Sequence, residues 1–464
     1  MSTLPIPVPF ASPRNPALDA LRGLAILGMV LSGSIAFGGV LPAWMYHAQV
    51  PPPKHTFMPE IPGITWVDLV FPFFLFSMGA AMPLSLQKYQ GQPAWVIIWV
   101  ALRRMMLLAW FALFTYHMRA WVISPQPQAM LYATSILAFA LLFVQLYRPP
   151  KAGPGYYLLQ AAAYLAAFAL LWLLPFNNGQ GFMLAKSDII LLVLANMAFF
   201  GTLLYWLTRH HPWGRLLILP LVAAIFLSSK APDTWQQWLF NASPLPWLYK
   251  FYYLKYLFLI IPGTWAGEWM LRYKSNQPQE TFKPWLVWVL AAIIITNVTL
   301  LFARHLLLNL LITAVALVLA VWAIHGNATG LIKRLVQAGA YLLVLGLCIE
   351  ATEGGIKKDP STYSYYFVTS GLAMLLLALL HLLQNSPTGR TSTRLLATNG
   401  QNPMVAYVAG NLLLTPALHL TGIMQWHNQL TGHWALGLLK GLLFTSVVFL
   451  ITWLFTKNKW YWKT

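Results

Sequence analysis

Long apolar runs separated by short polar stretches dominate the chain. They fall at roughly 23–41, 64–86, 105–123, 129–147, 156–176, 188–208, 215–229, 251–271, 284–303, 306–325, 335–352, 363–383, 395–420 and 434–456. Each approaches the ~20 residues that a helix needs to cross a ~30 Å hydrocarbon core. The runs are rich in Leu, Ala and Trp and lack the roughly ten-residue alternation of an outer-membrane barrel. The pattern predicts an all-α polytopic membrane bundle of 10–14 transmembrane helices. The range reflects a short run at 215–229 and a pair, 284–303 and 306–325, split only by Arg304-His305. Arg103 and Arg104 interrupt the third run, which reads as an interfacial helix over 94–103 leading into a span.

Composition supports this picture. Of 464 residues, 59% are hydrophobic and only 8% charged, where a soluble domain carries about a quarter. So few charges cannot build a water-facing surface, so the lipid bilayer must cover much of it. The formal net charge of +19 raises the question of nucleic acid, but the basic residues are scattered singly, without a basic tract or aromatic-basic patch. Topology explains them better, because Lys and Arg collect in cytoplasmic loops. With a cytoplasmic N-terminus and alternating spans, about two thirds of the 29 Lys and Arg fall on the cytoplasmic side. An even number of crossings then places both termini there. The Pro-rich opening MSTLPIPVPFASPRNP is followed by no clear small-residue cleavage site, so the first run reads as a retained helix. The longest outer loops are 42–63 and 230–250. A single integral-membrane domain over 1–464 follows, with 1–20 as a cytoplasmic N-terminal segment.

Candidate chemistry rests on few residues. Ten carboxylates occur in the whole chain, and a charge at membrane depth costs at least ~2.5–3.5 kcal/mol by insertion scales. Asp68, in ITWVDLVFPFFLFSMGAAM, is the sharpest case. It either caps its helix near the N-terminus or orients and charges a nearby imidazole. Two imidazoles stand just upstream, His47 in AWMYHAQ and His55 in PPKHTFMPE, and histidine is the commonest general base near neutral pH. Glu268 and Glu350 read as interfacial carboxylates with a basic partner. Asp19 and Arg22, at i and i+3, can pair on one helix face. Cys348 is the single cysteine and excludes a disulfide framework or a cysteine metal site. There is no GxSxG elbow, HExxH motif or Walker lysine, and no metal is expected.

The stretch ALDALRGLAILGMVLSG, the His47-Ala48 pair and GITWVDLVFPFFLFSMGAAMPLSL together resemble the opening of the heparan-α-glucosaminide N-acetyltransferase family, whose bacterial relatives include uncharacterised members closer still. That family opens with LD-x-x-RG, a loop bearing His-Ala, and T-x-x-DLVFP-x-F-x-F-x-x-G. Later, KKDPSTYSYYFVTSGLAMLLLALLHLL resembles its Lys-x-x-x-Thr-x-Ser-Tyr/Phe segment, and GQNPMVAYV its Gly-x-Asn-x-x-x-x-Tyr helix. The match is good over about 10–90 and 350–410, and rests on hydropathy alone between them. The resemblance implies transfer of an acetyl group from cytoplasmic acetyl-CoA to a sugar or amino-sugar acceptor on the far side of a bacterial inner membrane. It carries the essential histidine to His47 and the DLVFP aspartate to Asp68. The intervening loop departs from the family by its extra PPPKHTF, which makes His55 a second candidate base.

This chemistry suits the residues. A base must strip the attacking amine or hydroxyl of its proton, or itself accept the acetyl group. The oxyanion wants preorganised donors, for which Asn399, Asn402 and the Ser361–Ser364 hydroxyls are candidates. The phosphates of acetyl-CoA want cations, and Arg14, Arg22, Arg103 and Arg104 gather at the cytoplasmic face, where positive-inside bias alone also places them; Asn402 is a further candidate for holding acetyl-CoA. Self-association into a homo-oligomer is compatible with this reading. The competing class is a secondary transporter of a sugar or small anion, which also buries carboxylates at broken helices; corresponding broken pairs in two halves are not obvious here.

Overall fold

The computed structural model describes residues 14–273, 284–324 and 330–463, apart from the side chains at positions 177 and 178. The first thirteen residues lie outside the described residues, as do Lys274 and Lys283, two of the basic residues counted on the cytoplasmic side.

The protein is a helical bundle, and twelve of its described helices are long and apolar enough to cross a membrane. In chain order, the helices that build the bundle are α1 (Pro16–Ser34), α2 (Trp66–Leu86), α3 (Ala94–His117), α4 (Ala129–Leu146), α5 (Pro154–Leu173), α6 (Ile189–Thr208), α7 (Pro212–Ser228) and α8 (Leu257–Arg272). There follow α9 (Pro284–Phe302), α10 (Leu306–Ile324), α11 (Gly330–Glu350), α12 (Tyr363–Leu383), α13 (Pro387–Gly400), α14 (Pro403–Leu420) and α15 (Trp434–Lys457). Of these, α7 and α8 are apolar but shorter, and α13 is amphipathic and polar.

Of the boundaries that differ from the hydropathy pattern, three have a clear local reason. Helix α1 starts at Pro16 and not near 23, because the Asn15 carboxamide accepts from the amides of Ala17 and Leu18 and Pro16 suits the first turn. Helix α3 is one continuous helix through Arg103 and Arg104, not an interfacial helix feeding a span. No Gly or Pro lies between 94 and 117 to break it, and the long arginine stems carry their charge off the apolar face. The run at 395–420 is split: α13 ends at Gly400, and Pro403 opens α14 as its first residue.

Helices α2 and α12 form the enclosed centre of the bundle, with α1, α6 and α8 against them. Lipid supplies no hydrophobic drive between helices, so close packing must hold them. Gly79, Gly263 and Gly267 provide it between α2 and α8: a Cβ on Gly263 would stand 2.3 Å from the Phe76 carbonyl oxygen. Gly263→Leu is therefore expected to push the two helices apart and destabilise the fold by about 3 kcal/mol, read as a lowered Tm of the purified protein in detergent. At the periphery α9 and α10 are joined by buried amides, with Asn309 donating to Asn297 (3.1 Å) and Asn297 to Thr313 (3.0 Å).

The first and last described segments meet at one end of the bundle. The Arg14 guanidinium lies over the Tyr461 ring, 4.6 Å from its centroid, and donates to Gln401 at 2.6 Å. Helix α1 runs from that end to the opposite one, where the 35–65 loop begins, and α2 returns. These are the terminal end and the loop end below.

Candidate functional site

The site is assembled at the loop end, where α2 begins. Thr65 is the N-cap of α2, and Asp68 occupies the third helical position that completes a capping box. One carboxylate oxygen of Asp68 does the capping: Oδ2 accepts from the amides of Thr65 (3.0 Å) and Ala48 (3.2 Å). The other, Oδ1, accepts from Nδ1 of His47 at 2.7 Å. The two roles considered for Asp68 are therefore both filled, one by each oxygen. The Asp68 side chain is 2% exposed and that of His47 38%, so a dry carboxylate anchors an imidazole that opens outward. With Nδ1 donating to Asp68, the neutral ring carries its free lone pair on Nε2.

A third group completes the cluster. Lys358 Nζ lies 3.1 Å from His47 Nδ1 and 3.4 Å from Nε2, with Asp68 Oδ1 at 3.9 Å. Being nearly equidistant from both ring nitrogens, the ammonium sets its charge against the ring and not along one lone pair. Burial pushes the Lys358 pKa below the usual lysine value, while the carboxylates of Asp68 and Asp359 act in the opposite sense.

Loop and late segment are stapled together, which is how residues 311 positions apart meet. Gln49 donates to the carbonyl of Asp359 (2.5 Å) and accepts from its amide (2.9 Å), and the Gly63 amide donates to Ile356 O at 2.7 Å. The turn bearing Lys358 is shaped from below by two carboxylates. Glu350 accepts from the Ile356 amide and pairs with Arg304 at 2.5 Å, and Glu353 accepts from the amides of Tyr363 and Ser364, both at 2.7 Å. The Tyr365 hydroxyl donates to the backbone carbonyl of Asp68 at 2.7 Å, tying α12 to the start of α2.

His47 and Lys358 line a cavity of about 710 Å³ at the loop end. Its floor holds a second polar cluster. Asp188 caps α6 and accepts from Arg119 (2.5 Å) and from the Tyr407 hydroxyl (2.9 Å). Its far wall is made by α14 and α15 and by a short helix, Ile423–Gln429. Within α14, Ala409–Leu414 is π-helical and turns Gly410 and Asn411 toward the cavity, as π-bulges often do at functional sites.

A different cavity, of about 570 Å³, opens at the terminal end. Arg103, Arg104, Lys88, Arg148 and Lys463 line it together with several tyrosines and, among the described residues, no carboxylate. Such a lining suits an anion. From Arg104 to Tyr116, which faces the loop-end cavity, α3 rises about 18 Å.

The structure sorts the candidates read from sequence. His47 and Asp68 are together. His55 is not with them: its Nε2 accepts from the Gly38 amide at 3.0 Å, and its ring packs edge-on to Phe37 and Tyr46. The PPPKHTF insertion thus closes the loop on itself and brings no second base to Asp68. Arg103 and Arg104 reach the terminal-end cavity, but Arg22 does not. Arg22 donates within the bundle to Asp19 (3.4 Å) and the Gly400 carbonyl (3.3 Å). Asn402 is likewise engaged, donating to Trp460 O at 2.8 Å and accepting from the Trp462 amide. It pins the C-terminal segment at the end opposite His47, too far to serve an oxyanion there. Asn399 is buried at that same end. Ser361 bonds to Tyr252 and Tyr366, and Ser364 to Thr362. Glu268 pairs with the buried Arg215 at 2.7 Å.

Lys358, Arg119, Asp188 and Tyr407 were not singled out from sequence. Lys358 and Tyr407 did carry a signal, since they are the Lys and the Tyr of the two later motifs.

The fold and the site define a class: a polytopic helical membrane protein whose bundle holds a buried carboxylate–imidazole pair beneath the 35–65 loop. Residues 14–270 match the family described as Domain of unknown function (DUF5009), and the chain belongs to that family. No curated protein matches it. The family region includes His47 and Asp68 and ends before Lys358.

Proposed function

We propose that the protein transfers an acetyl group from acetyl-CoA, bound from the terminal end, to a sugar or amino-sugar acceptor at the loop end. The reading makes the terminal end cytoplasmic and the membrane a bacterial inner membrane. One observation carries it: an imidazole held by a buried carboxylate and opening into a cavity of substrate size. A passive conduit or a structural bundle has no need of that pair.

The chemistry follows from the tautomer. Asp68 holds Nδ1–H, so Nε2 accepts the proton of the acceptor amine or hydroxyl as its nitrogen or oxygen attacks the thioester carbonyl. The C–S bond breaks, coenzyme A departs as the thiol after taking up a proton, and an amide or ester remains. The Lys358 ammonium is the nearest fixed positive charge for the developing oxyanion. Arg103 and Arg104 are the residues that would hold the donor's phosphates.

The test uses purified protein in proteoliposomes, with acetyl-CoA and a panel of amino sugars and hydroxylated sugars, and measures release of free thiol. Saturable sugar uptake with no thiol release would overturn the proposal in favour of transport. Arg103→Gln and Arg104→Gln are each expected to raise KM for acetyl-CoA about tenfold, the effect of losing one charge-assisted contact of about 1.4 kcal/mol, with kcat little changed.

A further inference from the structure

The loop-end cavity carries unsatisfied chemistry on the wall facing away from Asp68. His427 is 7% exposed and lines the cavity. Its Nε2 stands 3.3 Å from the carbonyl oxygen of Lys440, so that nitrogen must carry the proton. Nδ1 is then a bare acceptor, and it is buried with no partner. A buried polar atom left unpaired costs about 1–3 kcal/mol, which a ligand donor would recover. On the floor, Nε of Arg119 is also buried without a partner while its NH2 holds Asp188.

Charge points the same way. Among the described residues, the fixed cations lining this cavity are Arg119, Lys358 and Lys440, against one lining carboxylate, Asp188. Arg119 is matched by Asp188, and Lys358 by Asp68 behind His47. Among the described residues Lys440 meets only the neutral amide oxygen of Asn428, at 3.3 Å. Its charge is uncompensated within the cavity.

We infer that this wall is the acceptor's recognition subsite and that the acceptor is an anionic sugar. Lys440 holds its carboxylate or phosphate, and His427 Nδ1 accepts from one of its hydroxyls. The inference deepens the acyl-transfer reading by naming the acceptor's class, but binding can be measured with no acetyl donor present. Failure of transfer and failure of this subsite are therefore separate results.

The experiment places the full chain in nanodiscs of phosphatidylcholine and follows equilibrium binding of glucuronic acid, glucose 6-phosphate and glucose. Saturation-transfer NMR also maps which sugar protons are in contact. At least one anionic sugar is expected to bind about tenfold or more tightly than glucose, as one charge-assisted contact implies; comparison of the two identifies carboxylate or phosphate as the preferred group. Lys440→Met should bring that sugar to the affinity of glucose, and Lys440→Arg should keep the preference. His427→Leu should weaken all three sugars while leaving the anionic preference in place. Equal binding of glucose and both anionic sugars, no saturable binding of either anionic sugar, or a preference that survives Lys440→Met would each overturn the inference.

Discussion

His47→Ala is expected to lower acetyl transfer by about 10³-fold, within the range general-base catalysis supplies, without loss of the folded protein. The imidazole is more than a third exposed and lines the cavity, so its removal enlarges that cavity and leaves no void in the apolar core. Asp68→Asn should be similar in rate, because the carboxamide keeps the shape but can present its NH2 group to Nδ1 and stabilise the wrong tautomer. The two variants differ in stability. His47→Ala removes one partner from Asp68 and leaves the cap intact, whereas Asp68→Asn weakens the capping box and should cost about 1 kcal/mol more. Thiol release under saturating acetyl-CoA, set beside Tm in detergent, checks both halves. A His47→Ala variant with wild-type transfer would remove the basis for the proposed mechanism.

Loss of the Lys358 charge should have the next largest effect. Lys358→Met is expected to reduce kcat by about 10²-fold, the scale of losing one oxyanion donor. On the proposed mechanism the wild-type protein should also show an alkaline limb. Burial lowers the Lys358 pKa, so as pH rises the ammonium is lost at a lower pH than that of an ordinary lysine. Activity that depends on the ammonium therefore falls over that interval. Lys358→Arg keeps a cation through the whole range, so its remaining activity should show no such limb. A pH–rate profile of the two proteins decides it: an unchanged limb in the arginine variant would assign that titration to another group.

The architecture was largely legible in the chain because bilayer thickness imposes a length and a polarity on every span. Apolar runs of about twenty residues marked the bundle, though not the start of α1 or the continuity of α3. Those depend on an Asn15 cap and on arginine stems reaching a cavity, which a hydropathy average does not register. The pairing of Asp19 with Arg22 was readable because three residues apart on a helix means neighbours. Glu268 and Glu350 were readable as carboxylates with basic partners, but the partners, Arg215 and Arg304, lie on other elements.

What the sequence determined by itself is the set of scarce polar groups that a membrane bundle must either pair or use. It marked Asp68, and it offered His47 and His55 as partners without choosing between them. The choice belonged to tertiary structure. Asp68 takes His47 because the 42–63 loop is stapled through Gln49 and Gly63 to the 356–359 turn, while His55 is turned back onto Gly38, Phe37 and Tyr46. The same stapling brings in Lys358; the π-helical segment of α14 brings Asn411 to the cavity, and Tyr407, in the α-helical turn before it, reaches Asp188. Hydropathy acts residue by residue along the chain and so can be read there. A site built from residues hundreds of positions apart exists only once packing has closed the distance.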